Sequence, residues 1–393
     1  MFSQVKDLTR DPIKSALRGS FFFYSFAIGS ALPFLVIYFK DVLHFNEKQI
    51  GYLLLTRPVI AIIAQPFWSF LADTGGHRAR LAFILVIIAG LLFPVHLLVK
   101  SMFLIMVVTA IWSFFNAPLN TMNDALAFHY LGHHQRIRFA NFRIFASYGW
   151  AMAVLVVGRL LDTIGIEWLF PAYMLGTFIA AIFLWRIPEN ERTTWRQGLR
   201  AVRQLLTKRN ILFFLIAVLI FEFANQMGYT YLSLYSRLLG ASHIQVGLIW
   251  AVATTAEMFT MITFSRIVRR INIKTVLVIG MLVTAVRWFP FGLMNAWWQI
   301  LPLQILHAFT LTFGYIGAAT FLDMESSQEI RFSAQAFYST FILNSGAMLG
   351  AFFGGQISFR YGYGSLYFVS GSLTLIAAAL LILFVRTPGQ ESS

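Results

Sequence analysis

Six charged side chains stand where this sequence is otherwise hydrocarbon: Arg57, Asp124, Arg143, Glu222, Glu257 and Arg287, with His307 as a seventh titratable group. A charged group at the centre of a bilayer costs about 2.5–3.5 kcal/mol on insertion scales, so such residues face a polar cavity or one another. The three carboxylates and three arginines balance in formal charge. An arginine fork can hold a carboxylate or hydroxyls by paired hydrogen bonds. Burial favours the protonated carboxyl and a neighbouring arginine favours the carboxylate, so a change of pairing can move a proton. His307, with an ordinary pKa of about 6.5, can pass a proton or orient Glu257, or be a hydrogen-bonded core histidine. Glu222, Glu257, Arg287 and His307 each lie roughly nine to thirteen residues into a segment, about 13–20 Å deep at 1.5 Å per residue. That is the midplane depth at which carriers place their sites. The competing reading of each group is a buried ion pair that joins helices.

Spacing supplies the neighbours. Asn116, Asn120 and Asn123 lead to Asp124 at roughly helical intervals, which places amides and carboxylate on one side of a helix. Arg143 follows just inside the next segment, after a turn holding Arg136 and Arg138. Glu222 heads a face with Asn225, Gln226 and Tyr229 at i+3, i+4 and i+7. That face reads as a cavity wall or as polar glue between helices. Arg57 stands between Thr56 and Pro58, and the proline removes a backbone donor, which suits a substrate-facing arginine or a partner for an acid. Tyr24, Trp150, Tyr229 and Trp250 are the aromatic cavity candidates; most other rings belong to lipid-facing surfaces and interfacial belts. His96, His129, His133 and His134 read as interface or loop residues. His129, His133 and His134 have metal-compatible spacing without an acidic ligand nearby, so no metal site is assigned. Gly346-x-x-x-Gly350 and Gly354-Gly355 read as close helix packing.

The elements that must carry these residues follow from composition. At 58% hydrophobic and 12% charged, 393 residues have too little polar surface to cover a soluble globule. Twelve apolar segments are expected, near 18–39, 49–71, 81–99, 102–128, 139–160, 168–186, 210–236, 245–267, 274–293, 298–322, 332–356 and 364–385. Each approaches the ~20 residues that a helix needs to cross the hydrocarbon. With the N-terminus inside, 21 of the 30 Lys and Arg fall on the cytoplasmic side, six outside and three within the membrane. That bias places both termini in the cytoplasm and Lys6, Arg10, Lys14 and Arg18 in a retained tail. The basic stretch from Arg186 to Arg209 reads as a linker, giving domains 1–187, 188–209 and 210–393. The halves echo one another: Tyr38-Phe39-Lys40 with Gln49-Ile50-Gly51 returns as Tyr235-Ser236-Arg237 with Gln245-Val246-Gly247. Ile137-Arg138-Phe139-Ala140 returns as Ile330-Arg331-Phe332-Ser333. The fold class is therefore all-α and membrane-integral, with two pseudo-symmetric six-helix bundles around a central site.

The net charge of +14 is dispersed between apolar runs, so nucleic acid is not an expected partner. No cysteine, phosphate-cradling glycine loop, His-Glu-x-x-His or Gly-x-Ser-x-Gly is present, which argues against an intramembrane enzyme and against cofactors. A non-transporting receptor stays open at this point.

A resemblance sharpens the reading. Trp68-Ser69-Phe70-Leu71-Ala72-Asp73-Thr74-Gly75-Gly76-His77-Arg78-Ala79-Arg80 resembles the Gly-x-x-x-Asp-x-x-Gly-x-Arg-x-Arg loop of the major facilitator superfamily, with Ser69 at the first glycine. The resemblance implies that Asp73 and Arg78 serve as a gating latch. The loop at Phe264–Arg270 keeps the bases and lacks the acid. Within that superfamily the whole chain is similar to the lactose-permease-like group, and nearest to its phenylpropionate-transporter branch. The carrying residues are Phe21-Phe22-Phe23-Tyr24, Pro33-Phe34, Asn123-Asp124-Ala125, Arg143-Ile144-Phe145, Glu257, Val286-Arg287-Trp288 and Gln304-Ile305-Leu306-His307. By position, Asp124 and Arg143 match the pair that contacts sugar in the permease. Glu257, Arg287 and His307 match members of its proton-coupling network, and Glu222 and Asn225 fall near two acidic positions of its seventh helix. Thr310 stands where the permease has its proton-carrying carboxylate and Gln304 where it has a lysine, so the coupling site is not a copy.

The resulting expectation is a proton-coupled symporter of the cell inner (cytoplasmic) membrane, monomeric and without cofactor or metal, taking up a small organic solute. The nearer branch implies an aromatic carboxylate such as phenylpropionate; a sugar or nucleoside is the alternative. Substrate-binding residues are expected to be Asp124, Arg143, Arg57, Asn120, Glu222, Asn225 and Tyr229, and coupling residues Glu257, Arg287 and His307, with Glu257 or Asp124 carrying the proton.

Overall fold

The computed structural model describes residues 11–131, 136–189, 206–327 and 330–387, and within them the chain is helical with short connections. Helix α1 (Pro12–Asp41) begins with proline, which needs no partner for its missing N–H. Asp11 caps it by accepting from the amides of Ile13 and Lys14 at 3.0 and 3.3 Å. The Tyr130 hydroxyl donates to the other carboxylate oxygen, and chiefly this bond, with the two amides, holds Asp11 below the usual carboxylate range.

Helix α2 covers Glu47–Gly75 and α3 Arg78–Leu92, the latter extended by a tight turn over Phe93–Leu98. Helix α4 comprises Met102–Asn116 and Leu119–Leu131, interrupted where Pro118 follows Ala117. Next come α5 (Arg136–Ile164), α6 (Leu169–Trp185), α7 (Arg209–Leu238), α8 (His243–Val268) and α9 (Ile273–Phe291). Helix α10 is broken: Trp297–Gln304 and His307–Glu325 meet at 46°. Its second limb carries a wide π-helical stretch over Thr310–Ile316. Arg331–Phe337, a second π turn at Tyr338–Ile342 and a long helix Leu343–Phe384 complete the chain. Gly362, at φ 80°, divides the long helix into α11 (331–361) and α12 (363–384). A positive φ is what glycine accepts without a Cβ penalty.

Among the described residues ten stretches are long and apolar enough to span a bilayer, and the bent α10 makes an eleventh. One of the ten, Ser333–Phe384, holds 52 residues, more than twice the length of one crossing, and its division at Gly362 gives the twelfth. The expected segments are recovered in order. The broken α10 is the departure: the amides of Ile305, Leu306, Ala308 and Phe309 donate three residues back instead of four, and the chain bends at Ile305–Leu306 between Gln304 and His307.

The chain divides into two compact units, one of residues 1–38, 63–195 and 243–251, the other of 39–62, 196–242 and 252–393. Helices α2 and α8 each contribute to both. In the first unit, Asn116 is the hub of a buried network. Its side-chain oxygen accepts from the Tyr24 hydroxyl at 3.2 Å and the Tyr173 hydroxyl at 3.0 Å, and Tyr173 accepts from the Trp112 indole at 3.1 Å. Asn116→Ala removes the acceptor that both hydroxyls use and is expected to cost about 1–3 kcal/mol. Thermal unfolding in detergent reads this as a lowered midpoint; an unchanged midpoint would show the network to be dispensable. In the second unit the core is built on Phe214, stacked on Phe321 at 4.2 Å, with Leu277, Met281 and Leu381 around them.

Candidate functional site

The first unit brings together one expected pair. Asp124, on the second limb of α4, accepts from Nη1 of Arg143 on α5 with both carboxylate oxygens at 3.2 Å. Neither side chain is fully enclosed by protein, at 29% and 38% exposure, and a donor and an acceptor lie side by side. Asn120 is exposed beside them in sequence, whereas Asn116 and Asn123 turn inward, Asn123 accepting from the Ser20 hydroxyl at 3.3 Å. The three asparagines therefore do not share one face with Asp124. Steps of four advance around a helix by 40°, so Asn120 and Asp124 rotate away from the stripe that Asn116 and Asn123 occupy seven residues apart.

At the end of α2, Asp73 accepts from Nε and Nη2 of Arg78 at 2.9 and 2.6 Å across the Gly75-Gly76 turn, where Gly76 has φ 70°. Arg80 pairs instead with Glu189 at 3.1 Å, and His77 lies 3.5 Å from the same carboxylate. Glu189 as the second acid of this cluster is not legible in the sequence, because it lies more than a hundred residues away. His96 is a correction. In place of the expected position near the surface, its ring is fully buried, Nδ1 against the Phe93 carbonyl at 2.8 Å and Nε2 against the Thr109 hydroxyl at 3.0 Å. The tight turn that ends α3 swings the ring inward. His133 and His134 lie outside the described residues.

The second unit holds the remaining candidates. Arg287 on α9 is fully buried. Its Nη1 donates to the Tyr229 hydroxyl at 2.6 Å and its Nη2 to Oε1 of Gln304 at 2.7 Å. The guanidinium also lies 4.2 Å from the Trp288 ring centre and 5.0 Å from that of Tyr229. Among the described residues none of its hydrogen bonds goes to a carboxylate. The Tyr229 hydroxyl meets Nδ1 of His307, whose Nε2 lies 3.4 Å from the Glu257 carboxylate. Because Arg287 supplies a proton to the Tyr229 oxygen, that hydroxyl has its own proton to give to Nδ1. His307 Nδ1 then accepts and Nε2–H points at Glu257, which is the neutral imidazole. The result is one directed chain: Arg287 to Tyr229 to His307 to Glu257.

The break in α10 is what makes this possible, since Gln304 and His307 flank it and both reach Arg287. Thr310, at the permease's carboxylate position, accepts from the Thr284 hydroxyl at 2.9 Å and stands 3.5 Å from Arg287. Spacing alone makes Tyr229 a cavity wall; its place as the link between arginine and histidine has no sequence signal. Glu222 is buried with Gln226 donating to Oε1 at 2.6 Å, and the Asn225 side-chain oxygen is buried without a hydrogen-bond partner. Arg57, half-buried on α2, belongs to this same unit. Among the described residues no group of three histidine and acidic side chains is arranged to hold a metal ion.

A further contact has no counterpart in the sequence motifs. Asp162, at the end of α5, accepts from the His243 amide and ring Nδ1, both at 2.8 Å, and from the Ile244 amide at 3.0 Å. It thereby caps α8.

Comparison with known proteins agrees with this architecture. Residues 15–369 match the MFS_1 like family. The maltose permease of Geobacillus stearothermophilus is 25% identical over 94% of this chain and 95% of its own length. The xanthosine permease of Escherichia coli is 26% identical over 85% of each chain. The crystal structure of the nucleoside transporter NupG superposes with a TM-score of 0.82 at 18% identity, covering 95% of this chain and 98% of that one. That of a D-xylose-proton symporter gives 0.72, also at 18% identity, with 96% and 98% covered. These relatives are permeases and transporters, not enzymes. The chain belongs to the MFS_1 like family and is a multi-pass membrane transporter with the major facilitator fold.

Proposed function

We propose that this transporter is a proton-coupled symporter for a hydroxyl-rich solute of the sugar or nucleoside class, acting in the inner (cytoplasmic) membrane by alternating access. The moving bodies in this reading are the six-helix halves 1–187 and 210–393, joined by 188–209, with the termini in the cytoplasm. In this reading the transporter works as a monomer.

The carrying observation is the directed chain from Arg287 through Tyr229 and His307 to Glu257. A buried arginine and a buried glutamate are connected through two neutral titratable groups, so a change at either end alters the hydrogen bonding of the other. A change of charge or pairing at Glu257 would alter the acceptor of Nε2–H, and a solute that engaged Tyr229 or Gln304 would loosen Arg287. The two ends of the chain are thereby linked through one set of bonds. Asp73 with Arg78 supplies a latch that holds the α2–α3 turn.

The choice of solute follows from Asp124 and Arg143. A paired acid and base present an acceptor beside donors, which matches neighbouring hydroxyls, whereas a carboxylate ligand would meet the Asp124 charge. This favours the sugar or nucleoside alternative over the aromatic carboxylate, and the maltose and xanthosine permeases support it by similarity. Purified protein in proteoliposomes tests it. Counterflow of labelled maltose or xanthosine, with alkalinisation of the medium on solute addition, is the expected result. Counterflow of phenylpropionate with none of the hydroxyl-rich solutes would overturn the solute class, and solute flux without proton movement would overturn the coupling.

A further inference from the structure

We propose that Glu222 is the carboxyl that carries the coupled proton. The inference rests on the symport reading and assigns the carrier within it.

The three intramembrane acids differ in their company. Asp124 touches the Arg143 guanidinium, and Glu257 faces Nε2 of His307. Glu222 is 5% exposed and has neutral company: Gln226 donates to it at 2.6 Å, with Tyr229 of its own helix and Tyr338 of α11 as the titratable groups within electrostatic reach. Among the described residues no lysine, arginine or histidine forms an ion pair with it. An ionised carboxylate taken from water into a protein interior loses several kcal/mol of hydration, and only a counter-charge with good hydrogen bonds restores it. A single amide does not. The group that belongs in this place is therefore the neutral carboxylic acid, with its proton held.

A second observation shows that a donor is wanted here. The Asn225 side-chain oxygen, one helical turn along the same face, is buried and has no hydrogen-bond partner. Residues three apart on a helix are side-chain neighbours, so an acid O–H at position 222 is placed to serve it, as is a solute hydroxyl.

A third observation provides the switch. Gly346 of α11 lies flat against Glu222, such that a Cβ there would come within 2.7 Å of the Glu222 Cγ, and Gly350 lies equally close to the Met227 amide one turn further on. The stem of the Glu222 side chain is thus packed against the bare backbone of α11. Immediately before this contact, α11 contains the π turn at Tyr338–Ile342, a wide segment that can tighten to an ordinary helical turn and shift the glycine face beyond it. When α11 moves off, water reaches the carboxyl; the O–H bond breaks, the proton leaves as hydronium and the carboxylate stays behind hydrated. When α11 returns, the acid must first be protonated again. One proton crosses per cycle when the release is to one side of the membrane and the reprotonation is from the other.

Infrared difference spectroscopy of the protein in lipid tests this without any solute. The carbonyl stretch of a protonated carboxylic acid at neutral pH is expected in the wild type, lost in Glu222→Gln, retained in Glu257→Gln and present at a shifted frequency in Glu222→Asp. A band that survives in Glu222→Gln overturns the assignment, as does its loss in Glu257→Gln alone. Glu222→Asp guards against misfolding of the amide variant, because it keeps the acid. A second arm measures alkalinisation per mole of maltose or xanthosine taken up in net transport. In Glu222→Gln the ratio is expected to fall to zero once the alkalinisation of protein-free liposomes is subtracted; a ratio equal to wild type overturns the carrier role. A wild type that takes up solute in net transport without moving protons overturns the symport reading itself, and the carrier role with it, in an arm separate from the variants.

Discussion

Arg287→Lys is expected to reduce the initial rate of solute exchange about a hundredfold while the protein still folds. The guanidinium spans two acceptors that lie on different helices, Tyr229 of α7 and Gln304 of α10, at 2.6 and 2.7 Å, and it does so at zero exposure. An ammonium on a flexible stem is a point donor and cannot reproduce that fork or its stacking on Trp288. It serves one acceptor and strands the other. A hydrogen bond from a charged donor contributes about 1.5–3 kcal/mol and an orphaned buried acceptor costs a similar amount. A loss of about 3 kcal/mol in the transport step, at about 1.4 kcal/mol per tenfold, gives the stated factor. The consequence extends beyond the arginine. If Tyr229 no longer accepts from Arg287, its hydroxyl proton is not committed to His307, and the orientation of Nε2–H toward Glu257 loses its cause. Exchange rates in proteoliposomes, with unfolding midpoints in parallel, check the claim. A lysine variant that transports within about threefold of wild type would show that charge alone matters at this position and that the fork does not.

At that same arginine the sequence stops being informative. The twelve crossings are legible because the length of an apolar run is a local property, and each expected span is recovered. The residues of the site are legible by type, since Asp124, Arg143, Glu222, Glu257, Arg287 and His307 are costly in hydrocarbon wherever they point. The pairs Asp124–Arg143 and His307–Glu257 are legible too; the partners of Arg287 are not. Formal charge balance suggests that it pairs with an acid, yet Arg287 makes its bonds to a tyrosine and an amide. Which neighbour an arginine takes depends on a break in α10 that no window of hydropathy displays: Gln304 and His307 are on one apolar span by composition and on two limbs by geometry. The asparagines before Asp124 show the same limit at a smaller scale, because intervals of three and four define a broad stripe and only packing decides which part of it faces inward. His96 escapes for a related reason: a polar residue near a segment end reads as interfacial, and the turn that buries it is a tertiary matter.

Gly247→Val is expected to stop transport by separating the start of α8 from the end of α5. The two helices meet backbone to backbone in the first unit. A Cβ on Gly247 would be driven into the Val154 carbonyl oxygen, and a Cβ on Gly158 would lie 2.9 Å from the His243 carbonyl oxygen. Backbone cannot yield as a side chain does, so a branched residue at 247 must push the helices apart. The distance matters because Asp162 then loses the two amides and the imidazole that it holds at 2.8–3.0 Å, and with them the cap of α8. Overpacking of this kind costs about 1–3 kcal/mol, which on a local opening equilibrium raises access about ten- to a hundredfold. The chain has no cysteine, so His243→Cys alone is a clean reporter of that opening. A membrane-impermeant maleimide should label it slowly in an otherwise native background, where the side chain is 15% exposed, and faster by that factor when Gly247→Val is added. The backbone cap from Asp162 remains in the reporter, because it uses the amides of 243 and 244 rather than the ring. Equal labelling rates in the two backgrounds, or native transport by Gly247→Val, would mean that the α5–α8 contact is incidental packing. A rise in labelling together with lost transport would show that carriage requires this contact to close as well as to open.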